Sequence, residues 1–295
     1  MQRQWPRVRN RTQPPARLSA VVVTVVRMSV VTPVGAGRAG WLPAAAASID
    51  RARQLLAPAG IDLEWVACAD GAALPALDPR IRPDQVVRWQ VPRGISAARN
   101  AALASASGNW IVPLDADDEL DPTGLHTLAR IADQAPDAVG WIGANRVHLD
   151  GARTPHWSDT PRHYAAGELA ERWTSPFPFH PNSLLVRRDL ALTCGGWPGI
   201  GVNEDLAAAL LFSEAAAGRR EPAVLTHYRV WPGQEVATPT YPADKATAFT
   251  VIEALVNAQR HRLGRPPVHR PAPGPAHGLI KIPAAQPPDS GSSAS

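Results

Sequence analysis

Short apolar runs rich in β-branched residues alternate along this chain with longer Ala-rich stretches whose apolar positions recur every three to four residues. That alternation predicts strands joined by helical crossovers in a mainly parallel sheet. Residues 29–34 read as a first strand. Residues 38–57 read as a helix with Leu42, Ala46, Ile49 and Leu56 on one side, closed by Gly60. A second strand over 61–67 leads to Asp70 and Gly71, and a short third strand covers 85–91. An Ala-rich helix over 96–107 precedes WIVPL at 110–114, whose fully apolar character marks a strand buried on both faces. Helices are then expected at 122–134, 205–217 and 243–263, and strands at 139–149, 183–186 and 223–230. Between 153 and 182, Pro, Trp and His break any regular period, and no internal repeat is visible.

The pattern predicts an α/β domain with a Rossmann-like, mainly parallel central sheet flanked by helices, followed by a mixed second half. In open sheets of this kind the ligand crevice lies beyond the carboxyl ends of the strands. Asp70 and Asp115 both fall at strand exits, which points them at one crevice.

Composition changes the picture at the ends. A chain of 295 residues, 45% of them hydrophobic, can bury a full core. Residues 1–17 hold five arginines and no acid, and the chain beyond Pro266 is rich in Pro, Ala, Gly and Ser. Residues 1–27 and 265–295 therefore read as disordered extensions. Met28 stands directly before the first strand, so residues 1–27 could be an over-extended reading frame; a secretory leader is disfavoured because no clear small-residue cleavage site follows the apolar stretch 18–26. The net charge of +4 resides in the first residues and leaves the rest near neutral. That removes the basic face a nucleic-acid binder needs. Cys68 and Cys194 suggest neither a disulfide framework nor a zinc site. No apolar run approaches the roughly 20 residues that span a bilayer. A soluble cytoplasmic protein is expected, with peripheral membrane contact left open.

The sharpest chemical signal is DADD at 115–118, at the tip of the WIVPL strand. Close carboxylates repel unless a cation joins them. Asp115 and Asp117 supply hard oxygen ligands of the kind Mg²⁺ or Mn²⁺ takes beside substrate phosphates. The plainer alternative is an acidic turn that starts the next helix, with Asp121 as N-cap and Pro122 at the first helical position. Upstream, the run GISAARN holds Gly94, Ser96, Arg99 and Asn100. Ser96 is expected to cap the following helix, whose start attracts phosphate, and Arg99 to reach a diphosphate or support the carboxylates.

In this order, these residues resemble glycosyltransferase family 2, inverting enzymes of the GT-A type, whose members carry Gly-x-x-x-Ala-Arg-Asn before a strand and an Asp-x-Asp after it. Residues 29–33 resemble the family's first strand, ending at Pro33, with Val34 and Gly35 in place of an aromatic and Asn. Asp70-Gly71 resembles the end of a base-contacting Asp-Asp-Gly-Ser, with Ala69 where the first Asp is usual. HPNSLLVRRDL, Gly195-Gly196-Trp197 and Asn203-Glu204-Asp205 resemble the second half, and the family's catalytic base maps onto Asp205. Tyr228-Arg229-x-Trp231-Pro-Gly resembles Tyr-Arg-x-His-x-Gly, with Trp231 replacing the usual His.

The resemblance implies a nucleotide-sugar-binding half at 28–120 and an acceptor-binding half at 121–264. It also implies a nucleotide-sugar donor, UDP-linked by preference, and contacts from Pro33, Asp70, Gly94, Arg99, Asn100 and Asp115. Asp115 and Asp117 would hold Mn²⁺ or Mg²⁺. The acceptor, whether a saccharide, a lipid-linked saccharide or a small molecule, is not readable. Two rivals stand: a degenerate GT-A domain that only binds carbohydrate or nucleotide, and a haloacid-dehalogenase-like phosphatase with Asp115 as phosphoryl acceptor.

Overall fold

The apolar runs assemble into one mixed sheet in a computed structural model that describes residues 26–71, 81–134, 139–174 and 176–270. Its strands are β1 (Arg27–Val34), β2 (Asp62–Asp70), β3 (Gln85–Trp89), β4 (Trp110–Pro113), β5 (Glu119–Leu120), β6 (Trp141–His148), β7 (Arg162–Tyr164), β8 (Leu184–Arg187) and β9 (Gly218–Tyr228). They lie in the order β3-β2-β1-β4-β8-β6-β9-β5, with β7 also paired to β9. The first four strands are mutually parallel. β8 runs antiparallel between β4 and β6, β6 and β9 are parallel, and β5 and β7 run antiparallel to β9. The expected parallel first half and mixed second half are thus both present.

The helices are α1 (Leu42–Leu56), α2 (Ile95–Ser105), α3 (Pro122–Gln134), α4 (Glu168–Glu171), α5 (Arg188–Thr193), α6 (Glu204–Ala215) and α7 (Tyr241–Arg262). Strand alternation sends Met28, Val30 and Val34 into one core with Leu42 and Ile49 of α1 and Leu125 and Leu128 of α3. Val31 faces the opposite core, with Leu103 of α2, Phe212 of α6 and Ile252 of α7. Both faces of β1 are covered, which is why its sequence reads as continuously apolar. α6 is buried from Leu206 to Glu214 and carries no amphipathic stripe, as befits a helix packed on all sides.

Three boundaries differ from expectation. β9 begins at Gly218, five residues early, because β6 and β7 pair with the polar stretch Arg219–Glu221. Only glycine fits that start: a Cβ on Gly218 would lie 2.1 Å from the Trp141 indole. β1 begins at Arg27, and the carbonyl of the buried Val26 accepts the Asp62 amide at 3.2 Å, so pairing starts ahead of Met28. At the other end, residues 265–270 are packed and do not read as tail. Arg265 Nη1 donates to Glu214 Oε2 at 2.7 Å, and Asn257 and Val268 exchange two hydrogen bonds of 2.8 Å. The expected extensions 1–25 and 271–295 lie outside the described residues. No helix among the described residues is long and apolar enough to cross a membrane.

Candidate active site

The carboxyl ends of β1, β2 and β4, together with the starts of α2 and α6, enclose a pocket of about 350 Å³. Pro33, Asp70, Arg99, Asp115, Asp117 and Asp205 all line it. Two strand-exit aspartates therefore face one crevice, as the parallel order requires.

A buried ionic chain organises the pocket. Arg99, only 1% exposed, donates Nη2 to Asp115 Oδ1 at 2.8 Å and Nη1 to Glu204 Oε1 at 2.8 Å. Its guanidinium lies 5.4 Å from the ring centre of Trp197. The second oxygen of Asp115 accepts Asn182 Nδ2 at 2.9 Å. Burial pushes Glu204 up to about 7, against the pull of Arg99 and with the neighbouring Asp205 adding to the rise.

Asp205 stands in the first turn of α6, where the helix dipole favours an anion. One of its oxygens accepts the Leu206 amide at 2.7 Å. Burial raises its proton affinity above the ordinary aspartate value, while Arg99 opposes the rise. Asn203 begins the helix in a left-handed conformation, φ 60°, and its side chain makes no capping bond.

The start of α2 also departs from expectation. Asp70 accepts the Arg93 amide at 2.6 Å and the Gly94 amide at 2.8 Å, so a carboxylate of the protein itself occupies the approach to this helix. Ser96 does not cap; its hydroxyl donates to the Pro198 carbonyl at 2.8 Å. Asn100 clamps the Trp197 backbone through bonds of 2.9 and 2.8 Å. Asn100 and Gly94 thus hold the scaffold and do not line the pocket.

Arg38, Arg146, His180 and Tyr241 also line the pocket, and of these only His180, at the head of HPNSLLVRRDL, lay in a run singled out from the sequence. Arg146 packs 3.8 Å over the Tyr228 ring. His180 is held well below the ordinary histidine value by burial, by Arg146 and by His156, which keeps its ring neutral at physiological pH. Arg38 sits in the glycine-rich turn beyond β1, a strand-exit position that could have flagged it.

The metal expectation can be tested against the donors present. Asp117, 3% exposed, accepts Trp231 Nε1 at 2.7 Å on Oδ2, the same oxygen that pairs with Arg38. Both oxygens of Asp115 are engaged as well. Among the described residues no three His, Cys, Asp or Glu side chains are arranged to hold a metal. Each of the two carboxylates is thus paired with an arginine, Asp117 with Arg38 and Asp115 with Arg99. Asp118, for its part, accepts the Arg229 amide at 3.0 Å and does not line the pocket.

Residues 73–192 match Glycosyl transferase family 2. A segment of 103 residues is 36% identical to the succinoglycan biosynthesis protein ExoO of Rhizobium meliloti (strain 1021), spanning 32% of this chain and 29% of that protein. Among solved structures, S. aureus TarS 1-349 superposes with a TM-score of 0.57 at 14% identity, over 78% of this chain and 65% of that one. Its complex with UDP-GlcNAc gives 0.59 at 14% identity, over 78% and 66%. The fold is thus similar to that of the TarS structures, and part of the chain is similar to glycosyl transferase family 2.

Proposed function

We propose that the chain moves a sugar from a nucleotide-diphosphate donor, UDP-linked by preference, to an acceptor hydroxyl with inversion at the anomeric carbon. The observation that carries this reading is the convergence of Asp70, Asp115 and Asp205 on one pocket, with Asp115 tied through Arg99 to the residue beside Asp205. The UDP-GlcNAc and UDP complexes of TarS favour a uridine donor.

Asp205 acts as general base. It takes the acceptor proton as the acceptor oxygen bonds to the anomeric carbon, and the bond to the diphosphate oxygen breaks with its electron pair. A single displacement of this kind inverts the centre. The raised proton affinity of Asp205 suits the role, because a better base removes the proton more readily. Asp70 and Pro33 are assigned to the nucleoside side. No step runs through a metal.

The test needs no acceptor. Slow hydrolysis of UDP-GlcNAc and other nucleotide sugars, followed as nucleoside diphosphate release, is expected from the native chain and only at a much reduced rate from Asp205→Asn. Tight binding with no release from any donor would instead favour the degenerate binding module.

A further inference from the structure

Arg38 and Asp117 form the feature of the pocket that the proposed chemistry has not used. Asp117 is almost fully buried, whereas Arg38 is 29% exposed and lines the pocket. Both line the pocket, and the guanidinium is the more exposed member of the pair. It presents a positive charge to the cavity.

Arg38 is held from two sides. Its guanidinium lies 5.0 Å from the centre of the Trp231 ring, while the Trp231 N–H donates to the Asp117 oxygen that Arg38 also pairs. Trp231 in turn packs on Trp41, ring centres 6.0 Å apart, and Arg229 covers the Trp41 ring at 4.6 Å. An indole N–H donates and has no lone pair to give a metal. Trp231 stands where the family resemblance places a His, so a side chain able to ligate is replaced by one that fastens an arginine against the carboxylate. A guanidinium offers a planar fork of N–H donors that matches phosphate oxygens two at a time.

We infer that Arg38, braced by Trp231 and Asp117, supplies the positive charge that receives the donor's diphosphate, so that donor binding proceeds without a divalent cation. The inference rests on the nucleotide-sugar reading above. On donor binding one or more Arg38 N–H groups turn to the phosphate oxygens, and the Trp231 contact keeps the guanidinium in place.

Isothermal titration of the full chain with UDP, GDP and dTDP, in Mn²⁺ and in EDTA, tests it. The preferred nucleotide should bind with dissociation constants within about threefold of each other in the two buffers. Arg38→Gln should weaken binding about tenfold or more in both, and Arg38→Lys by less, since it keeps the charge and loses the fork. The double variant Arg38→Ala/Trp231→His should make binding depend on Mn²⁺. Circular dichroism on each variant separates loss of the site from loss of the fold. Binding of the native chain that appears only with Mn²⁺, or an Arg38→Gln variant that is folded and binds normally, would overturn the assignment and leave the nucleotide-sugar reading intact. Failure of all three nucleotides in both buffers would overturn both.

Discussion

Arg99 of α2 and Glu204 of α6, 105 residues apart, share an ion pair of 2.8 Å in which the side chains are 1% and 8% exposed. Through the second arm of Arg99 the pair extends to Asp115, so one guanidinium ties the strand that carries Asp115 to the helix that carries Asp205. Removing the cation would leave two carboxylates without their partner, one of them buried. Arg99→Met should cost about 3–5 kcal/mol, the range for breaking a buried pair by deleting one member. Urea unfolding measures this, and a loss below about 1 kcal/mol would show that the chain is not integral to the fold.

Asp205→Asn keeps the oxygen that accepts the Leu206 amide and removes only the proton acceptor. Donor hydrolysis should fall by about 10² to 10⁴, the usual contribution of a general base, while nucleotide affinity stays within about twofold. A variant that turns over normally would remove Asp205 from the mechanism.

The pH dependence follows from the same group. A base works only when deprotonated, and burial places the Asp205 ionisation above the ordinary 3.8. Turnover should therefore decline as pH falls through that raised value. A profile flat down to pH 4 would contradict this; the residual activity of Asp205→Asn should lack the limb.

Asp121 caps α3 through the Gly124 amide at 2.7 Å and meets His227 Nε2 at 2.8 Å. Burial works to raise Asp121, but the His227 and amide hydrogen bonds outweigh it and hold the group below 3.8. Its stabilisation is thus present above the unfolded value and lost as pH falls through the lowered folded one. Asp121→Ala should cost about 1–2 kcal/mol at neutral pH, read from thermal unfolding, with the gap closing in acid.

Gly124 lies where α3 crosses β9, and a Cβ there would stand 1.5 Å from the Val224 carbonyl oxygen. The obstacle is backbone, which cannot swing aside. Gly124→Ala should destabilise by about 1–3 kcal/mol or more, although alanine is the better helix former.

Much of this architecture was readable because it is locally encoded. Residues 110–114 are apolar because β4 is buried on both faces, and Asp115 follows because a strand exit opens on the crevice. The Asp121 cap was legible from Asp-Pro at the head of an amphipathic helix. What stayed hidden depends on partners remote in sequence. Arg38 and Asp117 are 79 residues apart, and a lone arginine in a glycine-rich turn has no period to betray its role. Arg219–Glu221 reads as polar loop, and only pairing with β6 and β7 makes it strand. Asn100 belongs to a recognisable motif, yet its carboxamide is spent on the Trp197 backbone, a contact no motif discloses.

The central claim is that this pocket receives a nucleotide sugar. A crystal structure of the chain with UDP tests it most directly. The account predicts the diphosphate beside Arg38 and the uridine toward Asp70, with Asp205 open to the space where the sugar would lie. Nucleotide bound anywhere else on the molecule, or a pocket that stays empty at saturating UDP, would contradict it.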